Sequence, residues 1–234
     1  MAGKNTKTRK TSSLGKFYLR AYNLIQTLGW SYILYKLITN DFNSTVEANL
    51  WHDIKWPVII FQNAALLEVI HAATGLVPSN PLLTIFQVSS RVIVVCGVLL
   101  ATPPSAAASS IGLPLAILAW SITEIIRYLY YFLNLFGYVP FFLTWVRYSL
   151  FTVLYPIGVT GELLCNYAAL QYASSHPETW SYALPNDWNF AFSYHYLLLI
   201  VIILYIPVFP QLYTHMFSQR RKMLGTGDSH KKAH

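Results

Sequence analysis

Charge is what this sequence has least of. Only 11% of its 234 residues are Asp, Glu, Lys or Arg, where a soluble domain carries about 25%. Cysteine is almost missing too. Cys96 and Cys165 stand apart, without CxxC spacing or a neighbouring metal ligand, and read as small buried hydrophobes rather than as a disulfide frame or a metal site. The seven histidines, His52, His71, His176, His195, His215, His230 and His234, are scattered. There is no HExxH, no histidine-rich box of the iron desaturase kind, no P-loop, no GxGxxG and no Ser-His-Asp cue. Metal hydrolysis, nucleotide binding and triad hydrolysis therefore have no motif to stand on. No soluble domain, internal repeat or low-complexity block interrupts the chain. A cleaved signal peptide is not expected, because the first apolar run is too long and follows a basic, Ser/Thr-rich tail.

What fills the space is apolar. The chain is 55% hydrophobic and 16% aromatic, with a mean hydropathy of +0.42. It reads as an integral membrane protein in contact with the lipid bilayer. A spanning helix needs about 20 mostly apolar residues, and six stretches qualify: 17–39, 55–77, 81–101, 112–137, 139–172 and 189–211. The fifth is long for one span, so it is expected to tilt, to kink at Pro156 or to emerge from the membrane as helix. The expected fold is an all-α six-transmembrane-helix bundle. Residues 1–16 form a basic tail, 17–211 the membrane domain and 212–234 a second basic tail.

Charge distribution orients the bundle. The net charge is +7, but eleven of the sixteen Lys and Arg lie toward the two ends: Lys4, Lys7, Arg9, Lys10, Lys16, Arg20, Arg220, Arg221, Lys222, Lys231 and Lys232. That is a topology signal and not a nucleic-acid footprint; it puts both termini in the cytosol and agrees with an even number of spans. On the other side, 40–53 holds Asp41, Glu47 and Asp53, and 174–187 holds Glu178 and Asp187, all without Lys or Arg. Asn43-Ser44-Thr45 is a glycosylation sequon in one of these loops. The chain ends "KKAH", which looks like the dilysine retrieval signal of endoplasmic reticulum membrane proteins, an address read by a receptor.

Charges inside spans are costly and face the bundle interior. Here they include Glu68 and His71 with Asn63 in the second stretch, and Arg91 with Gln87 in the third. The fourth holds Glu124, Arg127 and Tyr128, and the fifth Arg147, Tyr148, Tyr155 and Glu162. Glu124 and Arg127 share a helix face, as do Glu68 and His71. Arg91 has no acid on its own helix and must look across the bundle. Three arginines and three glutamates converging in six helices point to an internal polar cavity. Span order puts Arg147 and Arg127 toward the cytosol and Arg91 near mid-membrane, a basic mouth that attracts an anionic ligand.

The stretch 147–162, "RYSLFTVLYPIGVTGE", concentrates these features. Steps of seven residues fall roughly 20° short of two helical turns and rise about 10 Å each. Tyr148, Tyr155 and Glu162 thus form one stripe. Pro156 frees the carbonyl of Thr152, and Gly158 and Gly161 permit a close backbone approach or a bend. A phenol with a carboxyl in a low-dielectric site suits proton abstraction beside a carbonyl with loss of a hydroxyl, and needs no metal or cofactor. Spacing alone does not select dehydration, because a proton-coupled transporter uses similar residues. A non-catalytic membrane scaffold is the third alternative.

This stretch resembles the signature region of the very-long-chain 3-hydroxyacyl-CoA dehydratases, the protein-tyrosine-phosphatase-like family that includes the plant PASTICCINO-type proteins. "LLEVIHAATGLVPSN" (66–80), "QVSSRVIVV" (87–95), "WSITEIIRYLYY" (120–131) and "LYPIGVTGE" (154–162) are similar to the same family, and the resemblance covers about residues 18–222. It implies loss of water from a (3R)-3-hydroxyacyl-CoA to give a trans-2-enoyl-CoA, the third step of very-long-chain fatty acid elongation. The endoplasmic reticulum membrane and the other elongase enzymes are the implied setting and partners. The family's catalytic tyrosine and glutamate, seven apart, fall on Tyr155 and Glu162. Glu162 is expected to take the C2 proton while Tyr155 protonates the leaving hydroxyl, with the reverse assignment open. Arg91, Arg127 and Arg147 are expected at the thioester carbonyl or the CoA phosphates, with Tyr148, Glu124 and Gln87 beside the substrate. The phosphatase-like name does not transfer, since neither cysteine begins a Cys-x5-Arg loop. A CoA held at the cytosolic mouth and an acyl tail running inward require an elongated tunnel past Tyr155.

Overall fold

Apolar runs separated by short polar breaks fold here as helices throughout. The computed structural model describes residues 12–40, 49–79 and 81–224. Asp41, Glu47, the sequon at Asn43, the first eleven residues and the terminal Lys231 and Lys232 lie outside the described residues. The helices are α1 (Ser13–Ile38), α2 (Asn49–Ala64), α3 (Leu66–Ala73), α4 (Pro81–Val94), α5 (Gly112–Asn134), α6 (Phe141–Ser149), α7 (Phe151–Ser175) and α8 (Tyr194–Leu224). A π turn, Val95–Leu99, continues α4, and a 3-10 turn, Ala107–Ser109, precedes α5. Among the described residues there is no strand, only one antiparallel bridge between Tyr182 and Phe192.

Local signals set the ends. Ser12 caps α1 by accepting the Gly15 N–H at 3.1 Å, as an N-cap hydroxyl does. At the other end of α1, Lys36 reaches Asp53 of α2 at 3.0 Å. Three stretches are long and apolar enough to cross a membrane: Leu50–Ala73, Gly112–Asn134 and Tyr194–Leu224; α6 with α7 makes a fourth if the bent pair is one span. Among the described residues the fold is all-α, and its long apolar helices suit a membrane protein. α1 carries Lys16, Arg20 and Lys36 with buried Asn23 and Gln26, and the Gln87–Leu99 stretch is apolar but shorter. α8 runs past residue 211, where the sequence pattern ends the span, to Leu224.

α5 is the axis of the bundle. Half of its most apolar window is buried, against 6% for α8, which exposes Ile200, Ile203 and Ile206 outward. Such a face suits lipid and not water. The core gathers Trp30, Ile33, Trp51, Ile54, Leu99, Leu113, Ile117 and Trp120. α5 and α7 touch backbone to backbone. A Cβ on Gly161 would stand 2.5 Å from the Ala116 nitrogen, and one on Gly112 would stand 2.5 Å from the Gly161 carbonyl oxygen. Glycine is the only residue that fits both places, and this contact brings Trp120 of α5 to Glu162 of α7.

The fifth stretch bends, but not at its proline. The 43° turn falls at Leu150, between α6 and α7. Pro156 lies inside an unbroken α7. The helix continues through Pro156, and the Thr152 carbonyl, which Pro156 leaves without its helical donor, accepts the Tyr213 hydroxyl of α8 at 3.0 Å. The bend separates Tyr148 on α6 from Tyr155 and Glu162 on α7, so the stripe of three read from the sequence reduces to a pair.

Candidate active site

One cavity of about 510 Å³ lies between α4, α5, α6, α7 and α8. Arg91, Gln87, Glu124, Arg127, Arg147, Tyr148, Tyr155 and Glu162 all line it. Its wall on α8 runs from Leu204 to Gln219, fifteen residues further on, which is about 22 Å at ~1.5 Å per residue. The space is therefore elongated along α8, and Tyr155 lies on its wall.

Glu162 sits at the deep end. The residue is 7% exposed, and each carboxyl oxygen has one hydrogen-bond partner. Trp120 Nε1 donates to Oε1 at 2.8 Å and the Tyr205 hydroxyl donates to Oε2 at 2.6 Å. Among the described residues no cation forms an ion pair with it; Arg91 is committed to Glu124. An indole N–H can only donate, so Oε1 is an accepting oxygen, and the side chain is fixed by one partner from α5 and one from α8. Tyr155 differs. Its ring stacks on Phe209 at 5.1 Å and on Tyr213 at 5.8 Å, while its hydroxyl bonds to no described residue. A fixed ring with an unengaged O–H on a cavity wall can deliver a proton to a bound ligand.

The other charges form a closed cluster beside this pair. Arg91 donates to Glu124 Oε1. Arg127 Nε donates to Glu124 Oε2 at 2.8 Å. Arg127 also grips Glu68 with both Nη atoms, at 2.8 and 2.9 Å, in the two-pronged geometry that strengthens such pairs. Tyr128 donates to Glu68 Oε1 at 2.5 Å. Two guanidinium groups and two carboxylates therefore balance, which is what burial demands. Glu68 does not pair with His71, as helix spacing suggested; His71 Nε2 bonds to the Tyr18 hydroxyl at 2.9 Å. An i,i+3 preference worth a few tenths of a kcal/mol yields to a bidentate arginine. Arg91 also lies over the Trp120 ring, 6.0 Å from its centroid, so this cluster braces the indole that holds Glu162.

Arg147 is placed apart. It has no carboxylate within ion-pair distance among the described residues. It donates to the Tyr131 hydroxyl at 3.0 Å and to the Arg127 carbonyl at 3.3 Å. Tyr130, Tyr131 and Tyr148 surround its guanidinium, with ring centroids 4.4, 4.4 and 5.5 Å away. Its charge stays open to the cavity, at the end that His215 and Gln219 also line. Gln87 is exposed on the cavity wall. Asn63 lies outside this cavity, its amide donating to the Ile59 carbonyl at 2.8 Å.

Trp120, Tyr205, Phe209 and Tyr213 did not stand out in the sequence. The available signal was that a buried Trp or Tyr keeps a polar tip in need of a partner. Trp120 lies one helical turn before Glu124, and Tyr205 interrupts the apolar run "LLLIVIILYIPVFP". Cys165 is buried and Cys96 lies away from this cavity. Among the described residues no group of three or more His, Cys, Asp or Glu stands together as a metal site.

Comparison with known proteins follows this geometry. The profile of the family described as "Protein tyrosine phosphatase-like protein, PTPLA" matches residues 62–226. The very-long-chain (3R)-3-hydroxyacyl-CoA dehydratase 2 of Mus musculus is 45% identical over 215 residues, covering 92% of this chain and 84% of the mouse protein. The very-long-chain (3R)-3-hydroxyacyl-CoA dehydratase hpo-8 of Caenorhabditis elegans is 44% identical over 216 residues, 92% of this chain and 98% of the other. The very-long-chain (3R)-3-hydroxyacyl-CoA dehydratase PASTICCINO 2A of Oryza sativa subsp. japonica is 36% identical over 214 residues, 91% and 95% of the two chains. No solved structure matches.

Proposed function

The chain belongs to the protein tyrosine phosphatase-like PTPLA family, and on that premise we propose how its cavity works. The protein is a hydro-lyase that converts a (3R)-3-hydroxyacyl-CoA to a trans-2-enoyl-CoA, the dehydration step of very-long-chain fatty acid elongation. Our assignment within the site is that Glu162 removes the C2 proton. Electron density then moves toward the thioester carbonyl, and the C3–O bond breaks as Tyr155 gives its proton to the departing hydroxyl. One water leaves. The proton gained by Glu162 and the one lost by Tyr155 balance over the cycle.

The observation that carries this reading is the contrast across one cavity. Glu162 is held by donors on both oxygens, while the Tyr155 hydroxyl is unengaged. Arg91, on the α4 wall of the same cavity, stabilises charge developing on the carbonyl oxygen. Arg127 and Glu124 hold Arg91 in place, and Gln87 and Tyr148 border the bound thioester. Arg147, the cavity arginine without a carboxylate, receives the CoA phosphates.

The architecture we propose around this site has six passes: α1, α2 with α3, α4 with its π turn, α5, α6 with α7, and α8. An even count with basic ends places both termini in the cytosol. The end of the cavity bearing Arg147 then opens where CoA is found. The expected setting is the endoplasmic reticulum membrane, beside the other elongase enzymes. The reading is tested with purified protein and a very-long-chain (3R)-3-hydroxyacyl-CoA. Formation of the trans-2-enoyl product, with the (3S) substrate inert, is the expected result. An inert wild type that is folded and monodisperse would overturn it.

A further inference from the structure

The cavity that holds Glu162 ends too soon for a very long substrate. On α8 its wall stops at Leu204, level with Glu162's own partner Tyr205, and on α4 it stops at Arg91. Its length on the other side of Glu162 belongs to the thioester arm and CoA. Almost nothing is left for the hydrocarbon beyond C3.

A second, more open apolar pocket begins one turn further on, where Ile93, Leu197 and Trp180 of its wall are themselves exposed. It has a volume of about 450 Å³, and its walls include Ile93, Gly97, Leu100, Leu197 and Val201. Val201 stands one helical turn from Leu204 on α8, and Ile93 stands one turn beyond Ser90, another wall residue of the first cavity, on α4. The two cavities therefore follow one another along the same pair of helices. Each lies in the range of about 300–1,000 Å³ that ligand pockets occupy. Its polar lining groups are already engaged. The Tyr194 hydroxyl donates to the Gly97 carbonyl at 2.5 Å, Trp180 Nε1 donates to the Ala101 carbonyl at 2.8 Å, and Cys96 Sγ lies 3.8 Å from the Asn63 amide. What remains facing the space is hydrocarbon. The backbone here is the π turn Val95–Leu99, an irregularity that recurs at functional sites. Gly97 sits in it with open space: a Cβ there would meet only Ile93 Cγ2, at 3.8 Å.

We propose that this second cavity is the acyl-tail subsite, taking the distal methylenes of the 3-hydroxyacyl chain and setting which chain lengths are accepted. The proposal rests on the dehydratase reading above. Its specificity-determining residues are Gly97 and Val201, neither of which reaches the reacting atoms.

The test compares turnover of a medium-chain and a very-long-chain (3R)-3-hydroxyacyl-CoA by wild type, Gly97→Leu and Val201→Phe. The two substitutions fill the space from opposite walls. Mismatch in an apolar pocket changes kcat/KM by about 10- to 200-fold. That loss is expected for the very-long chain in both variants, with medium-chain turnover kept, which also certifies that the variants are folded. Unchanged very-long-chain turnover in both variants overturns the subsite, and so does an equal loss on both substrates. A wild type inert on both chain lengths overturns the dehydratase reading instead.

Discussion

Neutralising Glu124 separates what the ion cluster does for stability from what it does for catalysis. In Glu124→Gln the side chain keeps its shape but loses the charge that Arg91 and Arg127 share. Arg127 keeps its two bonds to Glu68. Arg91 is left without a carboxylate, because Glu124 is its one ion-pair partner among the described residues. Stranding one member of a buried pair costs ~3–5 kcal/mol. The Arg91 side chain is 24% exposed, so water in the cavity relieves part of the cost, and the lower end, about 3 kcal/mol, applies. For a chain of this size that lowers the thermal midpoint by roughly 6–12 °C. Adding Arg91→Met removes the stranded charge. The cost of the uncompensated charge is then gone, so the double variant regains most of the midpoint that the single variant loses. Its dehydration activity is lost all the same, because with Arg91 gone no cation faces the carbonyl. The assay is thermal unfolding in detergent beside turnover for the parent, the single and the double variant. A double variant as unstable as the single refutes the ion-pair reasoning. A double variant that regains turnover refutes the role given to Arg91.

Three further outcomes follow from single contacts. Tyr205→Phe removes a bond to a carboxylate worth ~1.5–3 kcal/mol, so kcat falls by about 10- to 150-fold in steady-state assays while KM stays near the parent's. Tyr213→Phe leaves the Thr152 carbonyl without a donor, at a cost of ~1–3 kcal/mol in unfolding experiments. Pro156→Ala in the same chain returns the missing helical N–H and most of that stability. Arg147→Gln raises KM for the CoA thioester by about 10- to 150-fold and leaves KM for a pantetheine-truncated thioester unchanged, which a kinetic comparison of the two substrates reads directly.

The helical stretches were legible because apolar runs of span length leave little other choice. Arg91's need for a partner on another helix was legible as well, because none stood on its own. The bend at Leu150 was not. Nothing in "RYSLFT" marks a break, while the visible mark, Pro156, is repaired by Tyr213, sixty-one residues away. Local pattern reports the defect but not its remedy. The pairing of Glu68 failed for a similar reason, since the arginine that wins it lies fifty-nine residues off. Tyr155 and Glu162 were singled out by their spacing and family likeness, and the fold puts both on one cavity wall. The partners of Glu162, Trp120 and Tyr205, looked like ordinary apolar content, and only the folded chain turns their polar tips onto one carboxyl group.

The claim at the centre is that Tyr155 and Glu162 perform the chemistry together in one cavity. The most direct measurement is kcat for a very-long-chain (3R)-3-hydroxyacyl-CoA with Tyr155→Phe, with Glu162→Gln and with both, each variant shown to be folded. Acid–base catalysis by one positioned group contributes ~10²–10⁴-fold, so each single variant is expected to lose that much. The double variant should be little worse than the weaker single, since groups acting as a unit do not add. Parent-like turnover in either folded single variant would contradict the claim.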